Sequence, residues 1–283
     1  MSMQGKTVVV TGATGGIGLV TARRLAELGA NVHIVARNPA RIARTLELLR
    51  ERGPDGTHTA FSADLQLVAE VSRVGDEIAA TLPRVDVLVN NAGAYFADRE
   101  ETPEGLERTW ALNHLNYFGL THRLLPSLRA APGARIVNVA SDAHRSAWMN
   151  LDDPQGKRRF NGWFAYCNSK LMNVLFTRAL AKRLGPDGPS VHALHPGFVA
   201  SDFGHNNPGL MGKLVAWSQV FAIDVERGAD TSVFLASAAS LDAPSGSYWS
   251  KSKARTPSGA AQDDALAERL WALSVEATGV GGA

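Results

Sequence analysis

Between Thr7 and Leu28 the chain passes from a β-branched run, Thr7 to Thr11, through Gly12-Ala13-Thr14-Gly15-Gly16-Ile17-Gly18 into apolar residues at roughly helical spacing: Ile17, Val20, Leu25 and Leu28. Strand, glycine turn, helix is the order that opens a βαβ unit, and it constrains the fold more than any other stretch. Such a turn aims free backbone N–H groups and a helix N-terminus at one point, which favours an anion such as a dinucleotide pyrophosphate. Glycines are needed because a Cβ would keep a phosphate away from the backbone or clash where the helix crosses the strand. Any tight turn also uses glycine; the place of this one at the head of a βαβ unit gives it its weight.

The alternation continues. Asn31 to Ala36 reads as a strand, Pro39 to Arg52 as a helix, His58 to Ser62 as a strand leading into Asp64-Leu65, and Leu67 to Thr81 as a helix. Val85 to Val89 is a buried strand that stops at Asn90-Asn91-Ala92-Gly93, and a long helix is expected from about Thr102 to Leu128. Asn113 lies inside that helix, where an amide is out of place: it is exposed, satisfied, or disturbs the backbone and holds a water. Arg135 to Ala140 is a fifth strand with Ser141 at its C-terminal end, the edge where open parallel sheets bind ligands. Residues 142–162 are the least regular part, with Lys157-Arg158-Arg159 read as a solvated run. Phe164 to Leu184 is a helix, and Val191 to His195 a sixth strand followed by Pro196-Gly197. A long apolar connection, 198–225, carries Phe203, Leu210, Met211, Leu214, Trp217 and Phe221, as a lid or a packed surface helix would. Glu226 to Ala238 (helix), Ser247 to Ser250 (strand) and Ala265 to Ala277 (helix) close the chain. The expectation is an α/β fold, a doubly wound parallel sheet with helices on both faces.

The 283 residues permit one large α/β domain, and with no repeat, linker or composition break a single domain over 1–283 is the economical reading. With 29 basic against 27 acidic residues, no field points to nucleic acid or an anionic membrane. No stretch approaches the ~18 uninterrupted apolar residues of a membrane span. The one cysteine, Cys167, excludes an internal disulfide, fits a reducing compartment and so a cytoplasmic location, and reads as a small apolar filler. No metal site is expected.

Two side chains suggest chemistry. Tyr166 and Lys170 stand four residues apart on one helical face, so a phenol and an ammonium meet there. A tyrosine of ordinary pKa about 10 needs a nearby positive charge to trade protons near neutrality. At the end of the second strand, Ala36-Arg37-Asn38 has no carboxylate to bond the ribose hydroxyls of a dinucleotide; a guanidinium suited to phosphate stands there instead, arguing for NADP(H) over NAD(H). The plain alternative is an exposed arginine opening a loop before the helix start at Pro39.

Together, Thr11-Gly12-x-x-x-Gly16-Ile17-Gly18, Asn90-Asn91-Ala92-Gly93, Asn113, Ser141, Tyr166-x-x-x-Lys170 and Pro196-Gly197 resemble the single-domain short-chain dehydrogenase/reductase family, over nearly the whole chain. The stretches Ala134 to His144 and Ala165 to Leu171 look like its retinol dehydrogenase and WW-domain oxidoreductase branch. That branch carries an insertion before the tyrosine: 25 positions separate Ser141 from Tyr166, about twice the usual gap. The resemblance implies a Rossmann-type fold and an NADP(H)-dependent oxidoreductase that interconverts an alcohol and an aldehyde or ketone. Tyr166 would be the general acid/base, Ser141 would hydrogen-bond the carbonyl oxygen, Lys170 would lower the tyrosine pKa and hold the nicotinamide ribose, and Asn113 would position a water. Gly12, Thr14, Gly15, Gly16, Ile17 and Gly18 would hold the pyrophosphate, Arg37 and Asn38 the 2′-phosphate, and Asp64 and Leu65 the adenine. Asn91, with Ala92 and Gly93, would meet the adenosine ribose, and Pro196, Gly197, Val199 and Ser201 the carboxamide. Trp148, Trp163 and the apolar residues of 198–225 suggest a lipophilic substrate. Homodimers or homotetramers through the long helices around Asn113 and Tyr166 are common in the family and are expected here. A second class, a catalytically silent NADP(H) sensor, would be expected to lose Tyr166 or Lys170, and both are present. A sugar-nucleotide epimerase would need a larger C-terminal domain than the residues after Pro196 supply.

Overall fold

A computed structural model describes residues 2–197 and 225–281. Eight strands among them form one sheet in the order β3-β2-β1-β4-β5-β6-β7-β8. These are β1 (Thr7–Thr11), β2 (Asn31–Ala36), β3 (Thr59–Ser62), β4 (Val87–Asn90), β5 (Arg135–Val139), β6 (Ser190–His195), β7 (Tyr248–Ser250) and β8 (Lys253–Arg255). All pairings are parallel except β7 with β8.

The central strands are β-branched because both faces of the sheet are covered. Along β1 the alternation of side chains divides two cores. Val8 and Val10 join Leu25 of α1 (Gly16–Glu27), Leu49 of α2 (Pro39–Arg52) and Leu235, whereas Val9 points to the opposite core with Val74, Phe118 and Leu175. That second face carries α3 (Val68–Thr81), a short α4 (Arg108–Trp110), a π-turn over Ala111–Leu115, α5 (Asn116–Arg129) and α6 (Gly162–Leu184). After the undescribed stretch come α7 (Val225–Gly228), α8 (Asp230–Ser237) and α9 (Asp264–Thr278).

The doubly wound parallel sheet and the helices on both faces are as expected; several boundaries are not. The helix expected from Thr102 begins at Arg108, because Gly105 takes φ +76° and Thr102 and Leu106 close a turn by their backbones. The Glu107 carboxylate then caps α4, accepting from the N–H groups of Thr109 and Trp110 at 2.7 and 2.9 Å. Val85 and Asp86 precede β4, and Asn90 is its last residue. The expected helix 226–238 is two short helices, and β8, whose residues are all exposed, had no apolar pattern to announce it.

Buried amides stitch the layers together. Asn90 Nδ2 donates to Asn138 Oδ1 on β5 and Thr121 Oγ1 on α5, and Asn138 Nδ2 donates to Thr177 Oγ1 on α6, all within 2.9–3.0 Å. On the outer side of α5 and α6, Trp271 of α9 packs against Phe118 at 4.9 Å and under the Arg183 guanidinium at 3.8 Å. The helix face on which self-association was expected is thus partly covered by the chain's own α9. No helix among the described residues is long and apolar enough to cross a membrane.

Candidate active site

The strand order reverses between β1 and β4, so a crevice opens beyond their C-terminal ends. One wall is the glycine turn. Gly12 takes φ +66°, and a Cβ there would stand 2.8 Å from the Ala92 Cα; a Cβ on Gly18 would stand 2.3 Å from Asn91 Nδ2. These glycines allow β1, α1 and the Asn91-Ala92 strand end to touch. Thr11 Oγ1 accepts from the N–H groups of Asn91 and Ala92, and Asn91 Nδ2 donates to the carbonyls of Thr11 and Gly12. The Asn91 amide, expected at the adenosine ribose, therefore has its donors committed to bracing the turn.

Anion binding needs unspent donors, and α1 has them. Asn38 Oδ1 caps α2, Asn161 Oδ1 caps α6, Asp263 Oδ1 caps α9, and the Glu104 carboxylate accepts from the first N–H groups of α3. No side chain among the described residues caps α1, its first turn holds no acidic residue, Gly15 and Gly16 are exposed, and a Cβ on Gly15 would meet nothing within 4 Å. Thr14 and Ile17 are half-buried beside this opening. The turn thus fits a pyrophosphate.

Around the adenine end, Arg37 is 65% exposed and its Nη1 reaches Asp64 Oδ2 at 3.4 Å. Asn38, expected at the 2′-phosphate, spends its side-chain oxygen on the Arg41 N–H as the α2 cap. Asp64 Oδ1 accepts from the backbone and side chain of Gln66, while the Leu65 side chain, expected at the adenine, lies in the core. Pro196 and Gly197 follow β6, with Gly197 at φ +96°. Val199, Ser201 and the substrate connection 198–225, apart from its last residue, lie outside the described residues.

The reacting end is built by α6 over the ends of β4 and β5. The Ser141 hydroxyl neighbours the Tyr166 phenol, and Lys170 Nζ stands 5.6 Å from the centre of the Tyr166 ring. Lys170 Nζ donates to the Val139 carbonyl at 3.1 Å, and a Cβ on Gly93 would lie 3.5 Å from it. Asn113 sits in the π-turn. Its Oδ1 accepts from the Ala94 N–H, and its Nδ2 donates to the Ala94 carbonyl and Ser169 Oγ, while its own carbonyl accepts from Asn173 Nδ2. The disturbance foreseen for this asparagine is real, and the amide is fully satisfied. All four expected catalytic side chains converge.

One electrostatic expectation is corrected. Burial pushes Tyr166 up from its ordinary value, partly opposed by the neighbouring Ser141 hydroxyl, so Lys170 does not set the net direction. Lys170 is itself pulled down to about 8 by burial. Cys167, buried and pushed up to about 11, stays a thiol and is a filler as expected.

Sequence reasoning missed Tyr95 and His144. The Tyr95 ring meets Tyr166 edge-on at 6.3 Å, and the Trp163 ring lies tilted against it at 6.1 Å, so the phenol ring has two aromatic neighbours. His144 Nδ1 lies 2.7 Å from the Ser141 carbonyl, and its Nε2 accepts from the Ser258 N–H at 3.1 Å, which makes Nδ1 the protonated nitrogen. Spacing gave no signal for either; only the aromatic step Trp163 to Tyr166 at i, i+3 was visible.

A family model for short chain dehydrogenases matches residues 6–208. Human retinol dehydrogenase 12 is 36% identical over 99% of this chain and 88% of its own length. A solved protein of Mycobacterium paratuberculosis is 32% identical, covers 99% of this chain and 95% of its own, and superposes with a TM-score of 0.78. The NADP active-site complex of Pseudomonas aeruginosa RhlG is 29% identical over 87% of this chain and 94% of its own, with a TM-score of 0.70. The chain belongs to the short-chain dehydrogenase family, in its retinol dehydrogenase branch, and is an oxidoreductase of alcohol and carbonyl groups.

Proposed function

We propose that the protein is an NADP(H)-dependent reductase or dehydrogenase of a lipophilic aldehyde or ketone and its alcohol, in the cytoplasm, with Tyr166 as general acid/base. The observation that carries this reading is the Tyr166 hydroxyl, set beside the Ser141 hydroxyl and the Lys170 ammonium at the C-terminal edge of the sheet, where the uncapped start of α1 also lies. When bound, the nicotinamide would supply or accept the hydride. In reduction, Tyr166 gives its proton to the carbonyl oxygen while the Ser141 hydroxyl donates a hydrogen bond to the same atom. Burial keeps Tyr166 protonated and so suits it to the role of acid; the reverse reaction needs the Lys170 charge to hold the phenolate. Tyr95 and Trp163 give the reacting end apolar walls, consistent with a lipophilic substrate.

Arg37 supports NADP(H) because its contact with Asp64 is long and between exposed groups, easily exchanged for a phosphate. Solved relatives carry either dinucleotide, NADP in RhlG and NAD in an NADH-dependent reductase 26% identical to this chain, with a TM-score of 0.66, so the test is direct. Oxidation of NADPH and NADH followed at 340 nm with a long-chain aldehyde should favour NADPH, and Arg37→Asp should lower kcat/KM for NADPH roughly 10- to 100-fold while sparing NADH, the loss of charge-assisted hydrogen bonds. A wild-type preference for NADH would remove the role given to Arg37.

The Lys170 value sets a pH limb. The ammonium is required, and in the free enzyme it loses its proton as pH rises through about 8, so kcat/KM for NADPH should fall above that pH. Lys170→Arg keeps the charge at all accessible pH and should erase the limb even where the plateau is lower. A limb of the same position in the variant would assign it to another group.

A further inference from the structure

Buried hydrogen bonds run in line from α9 to the active site. Asn113, His114, Asn173 and Ser274 are all fully buried. His114 follows Asn113 in the π-turn, Asn173 stands on α6 one turn beyond Lys170, and Ser274 stands on α9. His114 Nε2 lies 2.9 Å from Ser274 Oγ, and its Nδ1 lies 3.3 Å from Asn173 Oδ1. Asn173 Nδ2 donates to the Asn113 carbonyl at 2.9 Å. Asn113 in turn holds both backbone polar atoms of Ala94, accepting from its N–H and donating to its carbonyl, each at 2.9 Å.

The direction of each bond follows from the one beside it. Asn173 must present Nδ2 to the Asn113 carbonyl, so Oδ1 faces His114 and the imidazole proton belongs on Nδ1. Burial pulls His114 down to about 4, against the Asn173 hydrogen bond, and so keeps the ring neutral. Nε2 therefore accepts, from the Ser274 hydroxyl, for whose proton the Leu270 carbonyl at 2.8 Å competes. The far end of the line meets the chemistry. A Cβ on Gly93 would stand 3.1 Å from Asn113 Oδ1 and 3.5 Å from Lys170 Nζ, and the Tyr95 ring packs edge-on against Tyr166. Asn113 thus pins the residue whose two neighbours lie against Lys170 and Tyr166. A π-turn departs from the regular helical ladder, and Asn173 ties its carbonyl to the helix that bears both reacting side chains.

We propose that Asn173 and His114 are positioning residues for the reaction, acting through Asn113 and Ala94 to set the 93–95 segment against Lys170 and Tyr166. Amide hydrogen exchange of the full chain reads the positioning without turnover. Asn173→Leu, close in size, and His114→Leu should speed exchange of the Ala94 N–H about tenfold relative to the β1 amides, the loss of one hydrogen bond. His114→Asn, whose amide can place a donor where Nδ1–H stands, should stay within about threefold of wild type. The rate effect rests on the reaction proposed above, and a double-mutant cycle reads it. Asn173→Leu should lower kcat/KM for the long-chain aldehyde at saturating NADPH about tenfold in the native background, and less than about twofold in Asn113→Ala, because residues acting in series do not add. Ala94 exchange unmoved relative to β1, equal losses in His114→Leu and His114→Asn, or the same rate loss in both backgrounds would each overturn the proposal. If wild type turns over no aldehyde, the reaction assignment fails and the exchange rates alone decide.

Discussion

Tyr166→Phe is expected to lower carbonyl reduction by NADPH roughly 10²–10⁴-fold, the range of a lost general acid, while NADPH affinity stays within about twofold. The substitution removes one oxygen and leaves the ring, which is packed against Tyr95 at 6.3 Å and Trp163 at 6.1 Å and is 8% exposed. Ser141 Oγ still accepts the Ala143 N–H at 3.2 Å, so the turn after β5 keeps its shape. Lys170 Nζ is held by the Val139 carbonyl and does not rely on the phenol. Stopped-flow reduction and NADPH fluorescence titration on one preparation separate the two effects. Turnover retained within tenfold would remove Tyr166 as the acid. If wild type and variant both bind NADPH and neither turns over any carbonyl tried, the silent sensor becomes the better reading.

The site was legible in the sequence where its chemistry is local. Tyr166 and Lys170 share a face because a helix repeats every 3.6 residues, and Gly12 to Gly18 announce a turn because only glycine tolerates the approach of Ala92 and Asn91. The strands were legible because burial on both faces makes them continuous apolar runs. Roles set by distant partners were not. Nothing near Asn91 in sequence says that its amide braces Thr11 and Gly12, 80 and 79 positions away, nor that Asn38 is spent as a helix cap. The direction of the Tyr166 shift needed burial, a property of the packed chain. The late start of α4 is a local matter misjudged: Pro103 and Gly105 were breakers within a run that otherwise reads as helix.

The largest structural effect is expected from the glycine turn, and only at some of its glycines. Gly12→Ala incurs two independent costs. Its φ of +66° is left-handed backbone, roughly 1–2 kcal/mol for a residue with a Cβ, and that Cβ would stand 2.8 Å from the Ala92 Cα, an overlap with backbone that costs about 1–3 kcal/mol to relieve. Relief requires the ends of β1 and β4 to part, which pulls the Thr11 hydroxyl from the N–H groups of Asn91 and Ala92 and widens the crevice. Gly12→Ala should therefore lower the melting temperature by several degrees and weaken NADPH binding at least tenfold together. Gly15→Ala is the matched control. Its φ of −175° is extended backbone open to any residue, and its Cβ would meet no protein atom within 4 Å, so stability without cofactor should stay near wild type even where the Cβ, standing at the pyrophosphate, weakens NADPH binding. Thermal melts without NADPH decide the matter. Equal losses of melting temperature in the two variants would mean that the turn demands glycine for flexibility along its whole length; a loss confined to Gly12 would show that the demand is the contact with Ala92, made where the cofactor crevice begins.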